Sequence, residues 1–318
     1  MESRDRSTPK YSIVIPVYKE ERNVSPFLNR LIPALEKLSS QYEIIFVLDP
    51  GPDNTEEVII QSSKYNSNIK LIKMSRRFGQ PAATMAGLAY STGKRVVVID
   101  VDLQDPPELI IELSKKMDEG FDVVYATRRT REGETIIKKI FAKFGYKVIN
   151  SLSEVKIPQN TGDFRMMSRR VVDEICGLNE KHGFLRGLVA YVGFNQTGIL
   201  YDRDSRHSGI GNYNRYLGSL RIGINGLVGF SAKPLNLMSL LGGVIASFSF
   251  LVGGWYALQK IFGVSLTPGL STTVILISFF AGIQLLSLGL LGEYISRIYD
   301  EVKNRPMYIV EKKIGFDE

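Results

Sequence analysis

The sequence predicts an α/β protein with a mostly parallel sheet, then an interfacial amphipathic helix and a hairpin of two membrane-spanning helices. Three observations predict this architecture. Short apolar strands alternate with helix-patterned stretches between Tyr11 and Ala126. Charge is absent from Pro234 to Gln259 and again from Ile261 to Gly292, with only Lys260 between. An acidic string, Asp100-Val101-Asp102-Leu103-Gln104-Asp105, closes the most apolar strand.

The elements can be justified in order. A strand is predicted over Tyr11–Pro16, followed by a helix with Val24, Phe27, Leu28, Leu31, Leu35 and Leu38 at helical spacing. Glu43–Leu48 is the second strand, ended by Asp-Pro-Gly-Pro, and Asp53-Asn54-Thr55 caps the next helix. Ile69–Met74 is the third strand and Gln80–Tyr90 an Ala-rich helix. Arg95–Asp100 is the fourth strand, whose Val-Val-Val-Ile run lacks alternation and so reads as buried on both faces. Pro106 takes the first position of a helix carrying Leu109, Ile110, Leu113 and Met117, and Asp122–Ala126 is the fifth strand. Alternating strands and helices imply right-handed crossovers, with ligands bound beyond the carboxyl ends of the strands.

Tyr213, Tyr216, Leu217, Leu220, Ile224, Leu227 and Val228 fall on one face of a juxtamembrane helix suited to lying in the headgroups. Leu235–Leu258 and Thr272–Leu291 are each long enough for a hydrocarbon core of about 30 Å. Lys233 precedes the first span, and Arg297, Lys303, Arg305, Lys312 and Lys313 follow the second, which places both chain ends in the cytoplasm. The predicted organisation is a catalytic domain over residues 1–211, the amphipathic helix over 212–233, the two spans over 234–292 and a cytoplasmic tail over 293–318.

Composition removes several function classes. The chain has 318 residues and a net charge of +7, too long and too mixed for a stapled scaffold or a disordered chain. One cysteine, Cys176, allows neither a disulfide nor a thiolate metal site. His182 and His207 are too few for zinc, and basic and aromatic residues do not cluster as a nucleic-acid platform.

The acidic string carries the chemistry. Carboxylates one residue apart at the end of a buried strand call for a cation, and hard ions such as Mg²⁺ or Mn²⁺ bridge one or two carboxylates to phosphates. The alternative is an Asp-rich turn in which Asp105 caps the helix.

These residues identify a resemblance that covers nearly the whole chain. It resembles the family 2 glycosyltransferases with a GT-A (Rossmann-like) fold. Within them it is similar to the polyprenyl-phosphate glycosyltransferases, relatives of dolichyl-phosphate mannose synthase and the bactoprenol glucosyl transferases. The matching blocks are Ile13-Val14-Ile15-Pro16-Val17-Tyr18-Lys19-Glu20-Glu21, Phe78-Gly79-Gln80 with Ala86-Gly87-Leu88, and the D-x-D-L-Q-D-P-P-E string. Further blocks are Asn160-Thr161-Gly162-Asp163-Phe164-Arg165, Phe184-Leu185-Arg186-Gly187-Leu188, Tyr201-Asp202-Arg203-Asp204-Ser205-Arg206, and Gly292-Glu293-Tyr294-Ile295.

The resemblance implies a nucleotide sugar bound by Pro16, Val17, Tyr18, Glu20 and Asp49 around base and ribose, with Asp100, Asp102 and Gln104 on the metal and diphosphate. It implies Arg128, Arg129, Arg203 and Arg206 as candidates for an acceptor phosphate, and Asp163 to orient the acceptor or act as base. The expected reaction is inverting hexose transfer to polyprenyl phosphate. UDP-glucose is the favoured donor and undecaprenyl phosphate the favoured lipid, in the cytoplasmic (inner) membrane. The alternatives are GDP-mannose or UDP-N-acetylglucosamine with the same chemistry, a processive polysaccharide synthase, whose usual Gln-x-x-Arg-Trp motif is missing here, or a catalytically dead scaffold. Oligomeric state is left open, a homo-oligomer included. Two departures stand out: Asp49 is followed by Pro50 where the family often carries a second acid, and Asn160 stands where an acid is usual.

Overall fold

Side chains alternating across each strand give the sheet two apolar faces, and helices cover both. The computed structural model describes residues 8–129, 158, 161–178, 180, 185–204, 231–262 and 269–316. Strands β1 (Tyr11–Val17), β2 (Tyr42–Leu48), β3 (Ile69–Met74) and β4 (Arg95–Val98) pair in parallel in the order β4-β1-β2-β3. β5 (Val123–Arg128), β6 (Thr161–Ser168) and β7 (Gln196–Tyr201) extend the sheet beyond β4. β6 lies between β4 and β5 and runs antiparallel to both, while β7 pairs in parallel with β5 at the edge.

Ile13, Ile15, Ile44, Phe46, Val97 and Ile99 face one core, packed with α1 (Glu21–Glu36), α2 (Thr55–Tyr65) and α4 (Ile110–Asp118). Val14, Val96 and Val98 face the other, covered by α3 (Gln80–Tyr90), α5 (Arg169–Gly177) and α6 (Leu185–Val192). The period of two in β1, β2 and β4 is thus read by two different helix layers. α3 lies so close to the sheet that a Cβ on Gly87 would stand 2.2 Å from Val14 Cγ1 and 3.0 Å from Val47 Cγ2.

Two boundaries differ from the sequence expectation. β4 stops at Val98 because the chain leaves the ladder after Ile99 N donates to Val14 O, so the acidic string lies wholly on the following turn. Pro106 does not open the helix: its φ of −65° and ψ of 121° are extended, and Pro107 begins a short 3₁₀ turn, Pro107–Leu109. A residue before proline is pushed out of the helical region, and here that residue is itself a proline.

α7 (Lys233–Ile261) and α8 (Leu270–Val302) are long and apolar enough to cross a membrane. The Tyr294 hydroxyl donates to Ser231 O at 2.7 Å, and Ser287 Oγ lies 3.8 Å from Met238 Sδ, joining the helices near one end. α8 would be about 50 Å long at 1.5 Å per residue, more than a bilayer core requires. Its charged final turns, with Arg297 paired to Glu293, project past the apolar stretch. The predicted tail is not free. Val310–Ile314 forms β8, antiparallel to β3 at the sheet edge, and Phe316 packs edge-on against Tyr90. The predicted amphipathic helix over 212–230 lies outside the described residues.

Candidate active site

The order of strands reverses at β1, between β2 and β4, and the loops that follow these strands open the crevice where doubly wound sheets bind ligands. Two residues on these loops carry backbone strain. Lys19 (φ 58°) and Leu103 (φ 60°), on the loops after β1 and β4, take left-handed conformations that side chains disfavour. At Leu103 this tucks the side chain into the core and lets Gln104 N donate back to Asp102 Oδ1 at 3.1 Å. Strain of this kind persists only where surrounding contacts over-determine it, and it gathers at functional loops.

Pro16 and Val17 end β1, and the Tyr18 ring beyond them carries the Arg77 guanidinium at 4.0 Å from its centroid. Glu20 N donates to Thr55 Oγ1 at 2.9 Å, and its carboxylate accepts from Asn23 at 2.5 Å. Asp49 is 3% exposed, and its two oxygens accept the amides of Phe78 (2.9 Å) and Gly79 (2.8 Å). Asp49 therefore clamps the turn in which Gly79 adopts φ 95°, and the next residue, Gln80, donates its side-chain amide to Asp100 Oδ1 at 2.8 Å. A hydrogen-bonded path runs from the end of β2 to the acidic loop.

Around that loop the charges converge. Burial first, then the neighbouring carboxylates of Asp163, Asp102 and Asp105, push Asp100 up to about 8, opposed by Arg203. The mutual repulsion of these acids falls on Asp100, whose pKa is raised. Asp163, on β6, is different. Burial acts to raise its pKa, but Arg186, Arg165 and Arg128 outweigh burial and hold it below the usual carboxylate range. Arg186 Nε donates to Asp163 Oδ1 at 2.9 Å, and Arg165 is folded back onto the Gly162 and Asp163 carbonyls.

Asp105 does not cap the helix. It is buried and accepts the Tyr201 hydroxyl, with Arg203 Nε 3.3 Å and an Arg128 terminal nitrogen 3.9 Å away. The structure thus gathers Asp100, Asp102, Asp163, Arg128 and Arg203 from the predicted set. Gln104 sits on the same turn, its carbonyl accepting Asp204 N at 3.0 Å. Arg129 points elsewhere, in an exposed pair with Asp202 at 3.2 Å. Arg206 lies outside the described residues. Arg77, Gln80, Asp105, Arg186 and Tyr201 had no predicted role at the site. All five stand in or beside the matching blocks, which was the available signal.

The residues on the β4 loop fit a hard divalent ion by donor chemistry, since carboxylate and amide oxygens are what such ions take. Among the described residues no three His, Cys, Asp or Glu side chains converge into a full ligand set. A Mg²⁺-like ion bound by one or two carboxylates draws its remaining ligands from phosphates and water.

The model of glycosyl transferase family 2 matches residues 12–176. The chain belongs to that family. As a family 2 transferase it has the GT-A fold, and the sheet order β3-β2-β1-β4-β6-β5-β7 carries its catalytic domain. An uncharacterized glycosyltransferase of Synechocystis is 44% identical, over 98% of this chain and 97% of that protein. The SfII prophage-derived bactoprenol glucosyl transferase of Shigella flexneri is 37% identical, over 95% of this chain and 98% of that protein. Glucosyl-3-phosphoglycerate synthase of Mycobacterium tuberculosis, solved with Mn²⁺ and UDP-glucose, is 20% identical at a TM-score of 0.47, covering 70% of this chain and 79% of that one. This family 2 enzyme is a glycosyltransferase.

Proposed function

We propose that the enzyme transfers a hexose, favoured as glucose from UDP-glucose, to the phosphate of a polyprenyl phosphate such as undecaprenyl phosphate at the cytoplasmic face of a membrane, with inversion. The observation that carries this reading is the pairing of an acid-rich loop, Asp100 to Asp105, with two guanidiniums, Arg128 and Arg203, beside it. A sugar diphosphate and a phosphate acceptor are the two anionic partners such a site serves. Near full-length relatives named bactoprenol glucosyl transferase favour the same acceptor.

In this reading Pro16, Val17, Tyr18, Glu20 and Asp49 line the base and ribose side, Asp49 by fixing the Phe78–Gly79 turn. Asp100, Asp102 and Gln104 would hold Mg²⁺ or Mn²⁺, whose charge would offset that of the departing diphosphate. An acceptor phosphate oxygen attacks the anomeric carbon, the bond from that carbon to the diphosphate oxygen breaks, and UDP departs with the electron pair. The acceptor is a monoester whose second pKa is about 6 by analogy with phosphoserine, so it is largely dianionic at pH 7 and needs no base. It needs positioning against a like charge, which Arg128 and Arg203 supply through charge-assisted bonds, with Arg206 and Arg129 following on the same segments. Asp163, held ionised by three arginines, is suited to ordering Arg186 and Arg128 rather than to taking a proton.

The proposed topology has two spans with catalytic domain and tail on one side. β8 supports it, because one sheet cannot straddle a bilayer, so β1 to β8 share a side and the helices between cross an even number of times. The deciding experiment supplies the purified protein with radiolabelled nucleotide sugars, one at a time, and undecaprenyl phosphate. Label from UDP-glucose should move to the organic phase only when the lipid is present. Label from GDP-mannose or UDP-N-acetylglucosamine instead would change the sugar, and no lipid-extractable label from any donor would end the proposal.

A further inference from the structure

The loop after β4 and the end of β7 meet at one carboxylate. Asp105 is 1% exposed, and the reading above gives it no part in the reaction. Its Oδ1 accepts the Tyr201 hydroxyl and faces Arg203 Nε at 3.3 Å and Arg128 at 3.9 Å. Arg128 Nε donates in turn to the Tyr201 hydroxyl at 3.3 Å. A main-chain bond runs alongside, Asp204 N to Gln104 O at 3.0 Å. One buried anion, two guanidiniums and a phenol therefore tie β5, β7 and the β4 loop together. A carboxylate buried this deeply needs such answering charges, and its helix gives it no cap to make.

We propose that Asp105 is a positioning residue for the transfer reaction. It holds Arg128 and Arg203 in a fixed array with Tyr201, and it fastens the segment Tyr201–Asp204 to the loop that carries Asp100, Asp102 and Gln104. The inference rests on the acceptor role given above to the two arginines. Asp105 adds no positive charge to the site; what it supplies is order. A free arginine side chain holds about 2 kcal/mol of rotamer entropy, and fixing it beforehand removes that cost from binding the acceptor. Through its own loop, Asp105 also sets where the acceptor arginines stand relative to the donor's diphosphate. The effect of losing it belongs to the acceptor, not to the nucleotide.

The test is Asp105→Asn in the full-length protein. Asparagine keeps the size and can still accept from Tyr201, but it removes the charge on which both arginines converge. The acceptor KM should rise about tenfold, the worth of one charge-assisted hydrogen bond, while UDP affinity stays within about twofold. In an Arg128→Ala/Arg203→Ala background, adding Asp105→Asn should cost nothing more, because the carboxylate acts through those side chains. Additive losses, or an equal loss of UDP affinity, would overturn the proposal in favour of a merely structural acid. Tyr201→Phe, which takes one donor from the same carboxylate and keeps the ring, should give a smaller loss of the same acceptor-only kind. It decides the matter if Asp105→Asn does not fold. Hydrogen exchange gives a readout that needs no acceptor: the peptide over residues 201–204 should exchange faster in either variant, with β1 to β4 unchanged. If the wild-type enzyme ignores polyprenyl phosphate, the functional reading fails, yet faster exchange there still supports the fastening role. Unchanged exchange refutes it.

Discussion

Asp102 and Arg203 stand on opposite sides of the charge balance in the site, and substituting each should have a separable effect. Asp102 is buried on the β4 turn, and Asp102→Asn is isosteric, so the fold should persist while most transfer is lost. Chelation with EDTA should abolish transfer, and Mg²⁺ or Mn²⁺ should restore it; full activity in chelator would remove the metal from the reaction. Arg203→Ala should raise the acceptor KM by about tenfold, again the worth of a charge-assisted bond, with UDP binding little changed in calorimetry. A fall in UDP affinity with unchanged lipid dependence would move Arg203 to the donor side. Asp100 and Asp102 stood out as candidates in the sequence because they belong to the longer D-x-D-L-Q-D-P-P-E string, whose members are neighbours in the chain. Asp105 was not legible. Its partner Tyr201 is 96 residues away, and a lone aspartate before two prolines reads as a cap. Arg186 was hidden in the same way, since only the fold brings α6 to Asp163 on β6.

Individual elements were legible where one local rule dominates. α3 and β3 have the predicted limits, because helical Ala-rich and short apolar patterns leave little choice. β7 and β8 escaped because each depends on a partner strand far away in sequence, β5 for the one and β3 for the other. Close packing of α3 gives a sharp expectation. Gly87→Ala would gain about 1 kcal/mol of helix propensity, but its methyl would fall 2.2 Å from Val14, and overpacking of this kind costs about 1–3 kcal/mol. Contact that short should make the net change destabilising, visible as a lower midpoint in thermal unfolding; an unchanged or higher midpoint would show that α3 can slide.

At the opposite end of β2, Glu43 is buried, with Ser12 (2.5 Å), Lys70 (2.6 Å) and the Thr92 amide and hydroxyl (2.7 and 2.9 Å) around it. Burial tends to raise its pKa, but Lys70, Ser12 and Thr92 outweigh burial and hold it below its ordinary value of 4.5. The folded form therefore gains stability that is complete above that value and is lost as pH falls through the depressed one. Glu43→Gln should cost about 2 kcal/mol at pH 7, with the difference from wild type shrinking in denaturant titrations below the ordinary pKa. A difference that holds constant into acid would separate this stabilisation from the charge.

For the whole molecule, β8 changes what can be removed. Any chain cut before the spans also loses β8 and opens the β3 edge, an invitation to aggregate. A variant in which a Gly-Ser linker joins residue 232 to residue 306 would omit both spans and keep the sheet. It should fold, bind UDP and retain transfer to a short-chain, soluble polyprenyl phosphate supplied in excess, because the hairpin then serves as an anchor that raises local concentration. If it folds and binds UDP but transfers nothing, the spans belong to the acceptor site. Deleting residues 307–318 from the full chain should lower thermal stability and raise aggregation with the spans intact. The broad architecture was legible because charge-free tracts and strand-helix alternation survive averaging over many residues. The return of the chain to its own sheet was not, since five residues of Val-Glu-Lys-Lys-Ile carry no signal for which edge they will meet.

That return also sets an order of events during synthesis. β8 leaves the ribosome after β1 to β7 and after both long apolar helices have been made. Until then the nascent sheet lacks its final strand, and β3 waits with unpaired amides and carbonyls. In the proposed two-span topology, only a hairpin with both flanks on one side can deliver β8 to that edge; a chain that inserted a single helix would leave β8 across the bilayer. Closure of the sheet would therefore depend on correct insertion, and a chain that inserted one helix alone would keep the β3 edge open.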